Sequence, residues 1–358
     1  MNAAPAADLP STSARATRPF GLRDRAGCMF GDIGNNLQFY LQASFFLVFC
    51  TDAMGNKAGH AGTLLLVARI IDAVTDILVG RLAGRGAAGE RGRFAPWILR
   101  GMVPLAIATT VLFSPFLQGA DHTARVTWMV ITYLLWGAVC STLVNIPYGS
   151  MVSVISSRPA ERAALSVARA LGGYVGLLSL AGLLPLLVYV QVDGRSELSG
   201  TRMMIAAATC GLLAICCYPL CVHGVEERVR TVPRPRDEQM GTGALLAALV
   251  TNRALTGIVA VTLCMLVSTT MLVSMLPCVY AGYLGDGRLL SVGTVVGLLP
   301  VLAFLPVAAW LAARLGTKEL GLIGLVLATA AALVLALWFP LSKRRVAENS
   351  RLLADQRG

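Results

Sequence analysis

The chain has 358 residues, of which 56% are hydrophobic and only 14% charged, and its formal net charge is +11. Soluble domains carry about 25% charged residues, so the composition excludes a soluble globular protein and indicates one that crosses a membrane repeatedly. The basic excess does not point to nucleic acid, because the lysines and arginines are spread over short links between apolar segments.

The opening stretch, MNAAPAADLPSTSARATRPFGLRDR, has no apolar core, so residues 1–27 read as a disordered cytoplasmic tail and not as a cleavable leader. Nine apolar runs of spanning length follow, near 28–51, 62–83, 96–117, 126–155, 164–190, 202–223, 254–283, 290–313 and 319–340. The longest link, residues 224–253, separates a six-helix bundle (28–223) from a three-helix one (254–340), and a basic tail covers 341–358. Nineteen lysines and arginines fall on the side of the N-terminal tail, against five on the other: Lys57, Arg125, Arg195, Arg202 and Arg288. Basic residues concentrate on the cytoplasmic side, which places the N-terminus there; a multi-pass chain of the plasma (inner) membrane is expected.

The second run, GTLLLVARIIDAVTDILVGRLA, holds Asp72 and Asp76 one helical turn apart on the same face. An ionisable group in a spanning helix costs about 2.5–3.5 kcal/mol on insertion scales and normally faces a cavity. Two such carboxylates repel unless a cation or a proton sits between them. A cation site is one reading; the other is that Asp72 pairs with Arg69 and Asp76 lies near water. The nine cysteines make no metal-ligand spacing and read as small buried hydrophobes. The three histidines, His60, His122 and His223, form no cluster. No nucleophilic triad or cofactor motif is present, so an enzyme is not expected.

The segments YLQASFFLVFCTDAMG, AGTLLLVARIIDAVTDILVGRLAGRG, GRFAPWILRGMVPLAI, TYLLWGAVCSTLVNIPYGSM and ERAALSVAR occur in that order, followed by NRALTGIVAV, YAGYLGDGRLL and RLGTKELGLIGL. Together they resemble the glycoside–pentoside–hexuronide:cation symporters, the melibiose permease group of the major facilitator superfamily. The resemblance runs from about Gly27 to Phe339. It implies an all-α polytopic membrane protein, a major facilitator-type bundle of six N-terminal plus three C-terminal transmembrane helices, without the last three helices of the family. It also implies a secondary transporter that couples Na+ or H+ to a sugar or similar small polar solute, with no cofactor.

Residue by residue, the resemblance assigns Asp72, Asp76 and Thr142 to the coupling cation, with all three serving as ligands if the ion is Na+. Thr142 could instead bond back to its own helix. The solute positions are Asn36 and Asn145, where melibiose permease carries aspartates, with Trp136, Arg169 and Tyr148 beside them. An amide keeps hydrogen bonding to hydroxyls but loses a charged acceptor. Asn36 and Asn145 could also be polar glue between helices, Trp136 a packing residue, and Arg169 or Arg162 a cytoplasmic anchor. Pro147 in IPYG is expected to loosen its helix locally, and Gly84 replaces an aspartate usual in the 2–3 gating loop. Nine spans put the C-terminal tail outside, although Lys343, Arg344 and Arg345 favour the inside. The second half would then be completed by a partner protomer, as a homo-oligomer. The partners expected are the solute and the bilayer, with no nucleic acid. The competing reading is a degenerate, non-transporting membrane protein that acts as a ligand sensor or assembly subunit.

Overall fold

The computed structural model describes residues 18–85, 92–192, 195–229, 251–283, 286–315, 319, 321–331 and 333–334. Most of the linker, the first seventeen residues, the 2–3 loop at 86–91 and the basic tail lie outside the described residues, as does the side of the membrane on which that tail ends.

The described residues are almost wholly helical. Helix α1 runs over Leu22–Val48 and ends in a π-helical turn, Phe49–Ala53. Then come α2 (Ala58–Arg85), α3 (Ala95–Leu112) and α4 (His122–Ile155), which carries a π segment at Leu135–Ser141. Helices α5 (Pro159–Val188) and α6 (Gly200–Gly224) are joined by strands β1 (Tyr189–Val192) and β2 (Arg195–Leu198). Helix α7 (Arg253–Cys278) ends in another π turn, Val279–Tyr283, and α8 (Leu289–Leu315) and α9 (Gly321–Ala331) follow. Each helix falls on one of the nine apolar runs. The antiparallel hairpin and the π segments were not visible in the apolar pattern.

Among the described residues, five helices are long and apolar enough to cross a membrane: α3, α4, α5, α6 and the Val259–Ala281 stretch around α7. Helices α1 and α2 fall short, and the reason is in their sequences. Helix α1 carries Asp32, Asn35, Asn36, Gln38 and Gln42, and α2 carries Arg69, Asp72 and Asp76. Several of the residues that lower their hydropathy, Asp32, Asn36, Asp72 and Asp76 among them, are considered below for the site.

The chain forms two compact units, Met1–Val295 and Val296–Gly358. In the first, α1 is central and packs along both α5 and α6, while α3 lies on the other side of α6. Absent side chains allow the close approach: a Cβ at Gly27 would stand 2.9 Å from Val225 of the α6 end. Aromatic rings fill the core between α1 and α4, with Phe46 against Tyr133 at 4.8 Å between ring centres. Five of the cysteines, Cys28, Cys50, Cys140, Cys210 and Cys221, are buried, but Cys216 and Cys264 are exposed, because they face outward from the bundle. All nine are free thiols.

The end of the unit that carries the N-terminus is tied together by charge. Asp24, fully buried, receives both Arg228 amino groups at 2.9–3.0 Å and Arg18 at 3.2 Å. Glu227 accepts the backbone N–H groups of Arg93 and Phe94 at 2.8 and 3.0 Å, at the entry to α3. The segment that leaves α6 thus straps the starts of α1 and α3.

Candidate functional site

Helix α2 presents Asp72 and Asp76 toward α4. Arg69 pairs with Asp72 Oδ2 at 3.8 Å, so the ion pair read from the sequence forms. It engages one oxygen only. Asp72 Oδ1 is buried without a hydrogen-bond partner and sits opposite Gly137, where a Cβ would come within 3.4 Å of it. Asp76 lies against the Thr142 hydroxyl, one turn further along.

The π segment Leu135–Ser141 sets this geometry. A π turn replaces the i−4 bond with an i−5 one and shifts the face that follows. Thr142 lies at its end, is buried, and donates to the Gly137 carbonyl at 3.1 Å, five residues back. The back-bonding reading of Thr142 therefore holds together with its position beside Asp76. The two carboxylates, the Thr142 hydroxyl and the Gly137 carbonyl are all oxygen donors, the set that hard cations take. The loosening expected at Pro147 is not found there: the α-helix runs through Pro147 to Ile155, and the departure from α geometry lies six or more residues earlier, in this π segment.

The other named residues divide between two clusters. Trp136 is 4% exposed and donates its indole N–H to Thr109 Oγ1 at 2.9 Å. Thr109 in turn bonds to Gln38 of α1, and Gln42, one turn on, donates to the Tyr133 hydroxyl at 3.3 Å. Trp136 is thus locked in a polar network at the α1–α3–α4 contact.

Arg169 of α5 and Tyr148 of α4 meet on α1. The guanidinium donates through Nε and Nη2 to Asp32 Oδ1 at 3.3 and 3.2 Å, and it lies 4.8 Å over the Tyr148 ring. Tyr148 is buried and donates its hydroxyl to the Cys28 carbonyl at 2.9 Å. Arg169 is therefore no end anchor. Arg162 is one: it caps the end of α4 by donating to the carbonyls of Ser156 and Ser153 at 2.7 and 3.2 Å.

Asn36 sits one turn after Asp32, donates to the Asp32 carbonyl at 2.8 Å and packs on Gly173 of α5. Asn145 is exposed, on the α4 stretch between Thr142 and Tyr148. Asp32 was missed in the sequence. The signal was there: a carboxylate inside an apolar run, in FGDIGNN, is a functional candidate by the same rule that singled out Asp72. Among the described residues, no group of three or more His, Cys, Asp or Glu side chains could hold a metal ion.

Comparison with known proteins agrees with this architecture. The family model described as MFS/sugar transport protein matches residues 27–350. The chain is 32% identical over 312 residues to the glucuronide carrier protein homolog of Escherichia coli (strain K12), covering 86% of this chain and 65% of that protein. It is 28% identical over 253 residues to the uncharacterized symporter YjmB of Bacillus subtilis (strain 168), covering 70% and 53%. With the inner membrane symporter YicJ of Escherichia coli (strain K12) it shares 30% identity over 214 residues, covering 59% and 45%. The chain thus spans about half to two thirds of the length of these curated relatives. A family match over most of the sequence, on a bundle of apolar helices, makes this chain a polytopic member of the MFS/sugar transport family, a family of transporters and not of enzymes.

Proposed function

We propose that the protein couples the movement of a cation, Na+ or H+, to that of a sugar-like small polar solute across the inner membrane, with the N-terminus in the cytoplasm. The observation that carries the reading is the buried, unpartnered Asp72 Oδ1, which faces Gly137 one helical turn from the Asp76–Thr142 contact, on helices of a transporter family. A bare carboxylate oxygen in a low-dielectric interior is costly unless something positive occupies the space before it. Arg69 satisfies the other oxygen, so the charge deficit on Oδ1 and Asp76 suits one monovalent cation.

The solute site lies along α1, α4 and α5. Asn36 and Asn145 offer amides that both donate to and accept from hydroxyl groups. Arg169 is held in orientation by Asp32 and stacked on Tyr148, which fixes the guanidinium for contact with a solute oxygen. The cation and solute positions share α4: Thr142 belongs to one, and Asn145 and Tyr148, three and six residues on, belong to the other. Loading of the cation therefore orders the helix that also bears solute contacts. Inward movement of a loaded positive charge draws about 2.3 kcal/mol per 100 mV from the membrane potential.

The test is uptake by proteoliposomes of a radiolabelled panel of hexoses, glycosides, pentoses and uronates, with an imposed Na+ gradient, an imposed proton gradient, or neither. Gradient-dependent uptake of at least one solute, abolished in Asp76→Asn, is the expected result. Binding of a panel member that neither gradient stimulates and that is never taken up would instead establish the sensor reading.

A further inference from the structure

Three pieces of chain far apart in sequence meet at the end of the first unit opposite Asp24. The β1–β2 hairpin pairs Tyr189 with Leu198 and Gln191 with Ser196. Its base is closed by the Ser199 N–H on the Val188 carbonyl at 3.0 Å. From the other direction, the turn Asp286–Arg288 leads into α8. There the Gly287 N–H donates to Ser196 Oγ at 3.0 Å, out of solvent. Gly287 also lies flat on the Tyr189 ring, so closely that a Cβ would come within 2.6 Å of it. Tyr189 is fully buried and has no room to retreat.

Helix α7 shows where this contact stops. Every side chain from Val259 to Thr269 is exposed, and burial begins only at Ser274 and Pro277. Ser274 donates to the Ala43 carbonyl of α1 at 2.8 Å. So α7 is buried against the preceding helices only toward the hairpin end, and its Val259–Thr269 stretch is exposed. The hairpin and the turn themselves are joined by one hydrogen bond and one glycine-on-ring contact, a link small enough to break and re-form while Ser274 and Leu290 keep their own contacts with the bundle.

We infer that the β1–β2 hairpin is a latch: Ser196 and Tyr189 hold Gly287 to keep the hairpin side of the bundle shut while the opposite side is open, and the latch releases when the access side alternates. The role as a gate rests on the transport reading; the contact does not.

Native cysteines report on it. Cys278 lies half-buried behind the latch, Cys264 is exposed on the free part of α7, and Cys216 is exposed on α6. The full chain in detergent is treated with N-ethylmaleimide, and each cysteine is followed by peptide mass spectrometry. In Ser196→Ala, which removes the acceptor without adding bulk, and in Gly287→Ala, which drives a methyl into Tyr189, Cys278 reacts roughly fivefold faster. Cys264 reacts more slowly because its side closes, and Cys216 is unchanged. An unchanged Cys278 in both variants overturns the latch. Faster Cys278 with an unmoved Cys264 in both variants reduces the contact to a static one and overturns the gate. If Gly287→Ala accelerates all three by unfolding, Ser196→Ala decides. A latch that behaves as expected in protein indifferent to Na+, pH and the whole sugar panel would count against the transport reading alone.

Discussion

Asp72 Oδ1 on α2 faces Gly137 on α4 across a gap that a single methyl group would fill, with a Cβ 3.4 Å away. That distance is ordinary van der Waals contact, so Gly137→Ala should fold with stability changed by less than about 1 kcal/mol. The space beside the unpartnered oxygen would be gone. Cation-induced thermal stabilisation should therefore weaken about tenfold in apparent affinity in Gly137→Ala. It should vanish in Asp72→Asn and Asp76→Asn, where the compensating charge is halved. Melting curves over a NaCl series, matched with choline chloride, and over a pH series in its absence check this. Stabilisation identical to wild type in all three variants would remove the cation site.

Arg169 makes its interactions through the shape of a guanidinium. Nε and Nη2 converge on Asp32 Oδ1 while the planar group covers Tyr148. A lysine keeps the charge but cannot supply either the fork or the stacking. We expect Arg169→Lys to lower solute affinity at least tenfold and to leave cation-induced stabilisation intact, because Asp72 and Asp76 are not its partners. Asp32→Asn should be the more damaging to folding, since it strands a partly buried guanidinium among apolar helices. Solute-binding titrations and melting temperatures, measured on the same preparations, separate the two effects.

The helices were legible because nine apolar runs of bilayer length leave little choice of fold. The Asp72–Asp76 pair was legible for the opposite reason, as an expense that apolar sequence does not carry without cause. What could not be read were the features that depend on a partner from elsewhere in the chain. The π segment at Leu135–Ser141 has no periodicity of its own, and it is what brings Thr142 onto the Gly137 carbonyl. The hairpin at Tyr189–Leu198 is too short to show an alternating pattern. Asp32 could have been found, but its significance lies in Arg169, 137 residues away. Trp136 shows the same limit: its indole N–H donates to Thr109 of another helix, a partner that its own segment does not reveal.

The two asparagines should respond differently to the same substitution. Asn145 is exposed, so Asn145→Asp adds a charged acceptor at little structural cost. Asn36 donates to the Asp32 carbonyl at 2.8 Å and packs on Gly173. In Asn36→Asp that donor becomes an acceptor facing another acceptor, next to the Asp32 carboxylate. We expect Asn145→Asp to change which members of a sugar panel bind while melting within a few degrees of wild type. Asn36→Asp should lose on the order of 1–3 kcal/mol of stability, read as a lower melting temperature, and should be partly rescued below pH 5. Identical binding profiles in wild type and Asn145→Asp would exclude that residue from the solute site.

The Asp24–Arg228 pair makes a prediction that concerns stability and not transport. Burial pushes the Asp24 carboxyl up, but the hydrogen-bonded Arg228 guanidinium outweighs it with the Gly21 N–H and Arg18, so the group titrates below its usual value of 3.8. A carboxyl depressed in the folded state adds stability that is present above 3.8, the value it has when unfolded, and is lost as pH falls through its folded value. The wild type should therefore lose melting temperature steeply below pH 4 and stay level from pH 5 to pH 7. Asp24→Asn should melt lower at pH 7, by the equivalent of about 2–3 kcal/mol, because it leaves Arg228 buried against an uncharged partner. It should also show a shallower decline in acid. Removing both charges, in Asp24→Asn with Arg228→Gln, should recover part of the loss, since the cost lies in the orphaned charge and not in the missing pair. Melting temperatures of the wild type, Asp24→Asn, Arg228→Gln and the double variant between pH 7 and pH 2 close the cycle. An acid decline in Asp24→Asn as steep as in the wild type would assign the sensitivity to other carboxylates.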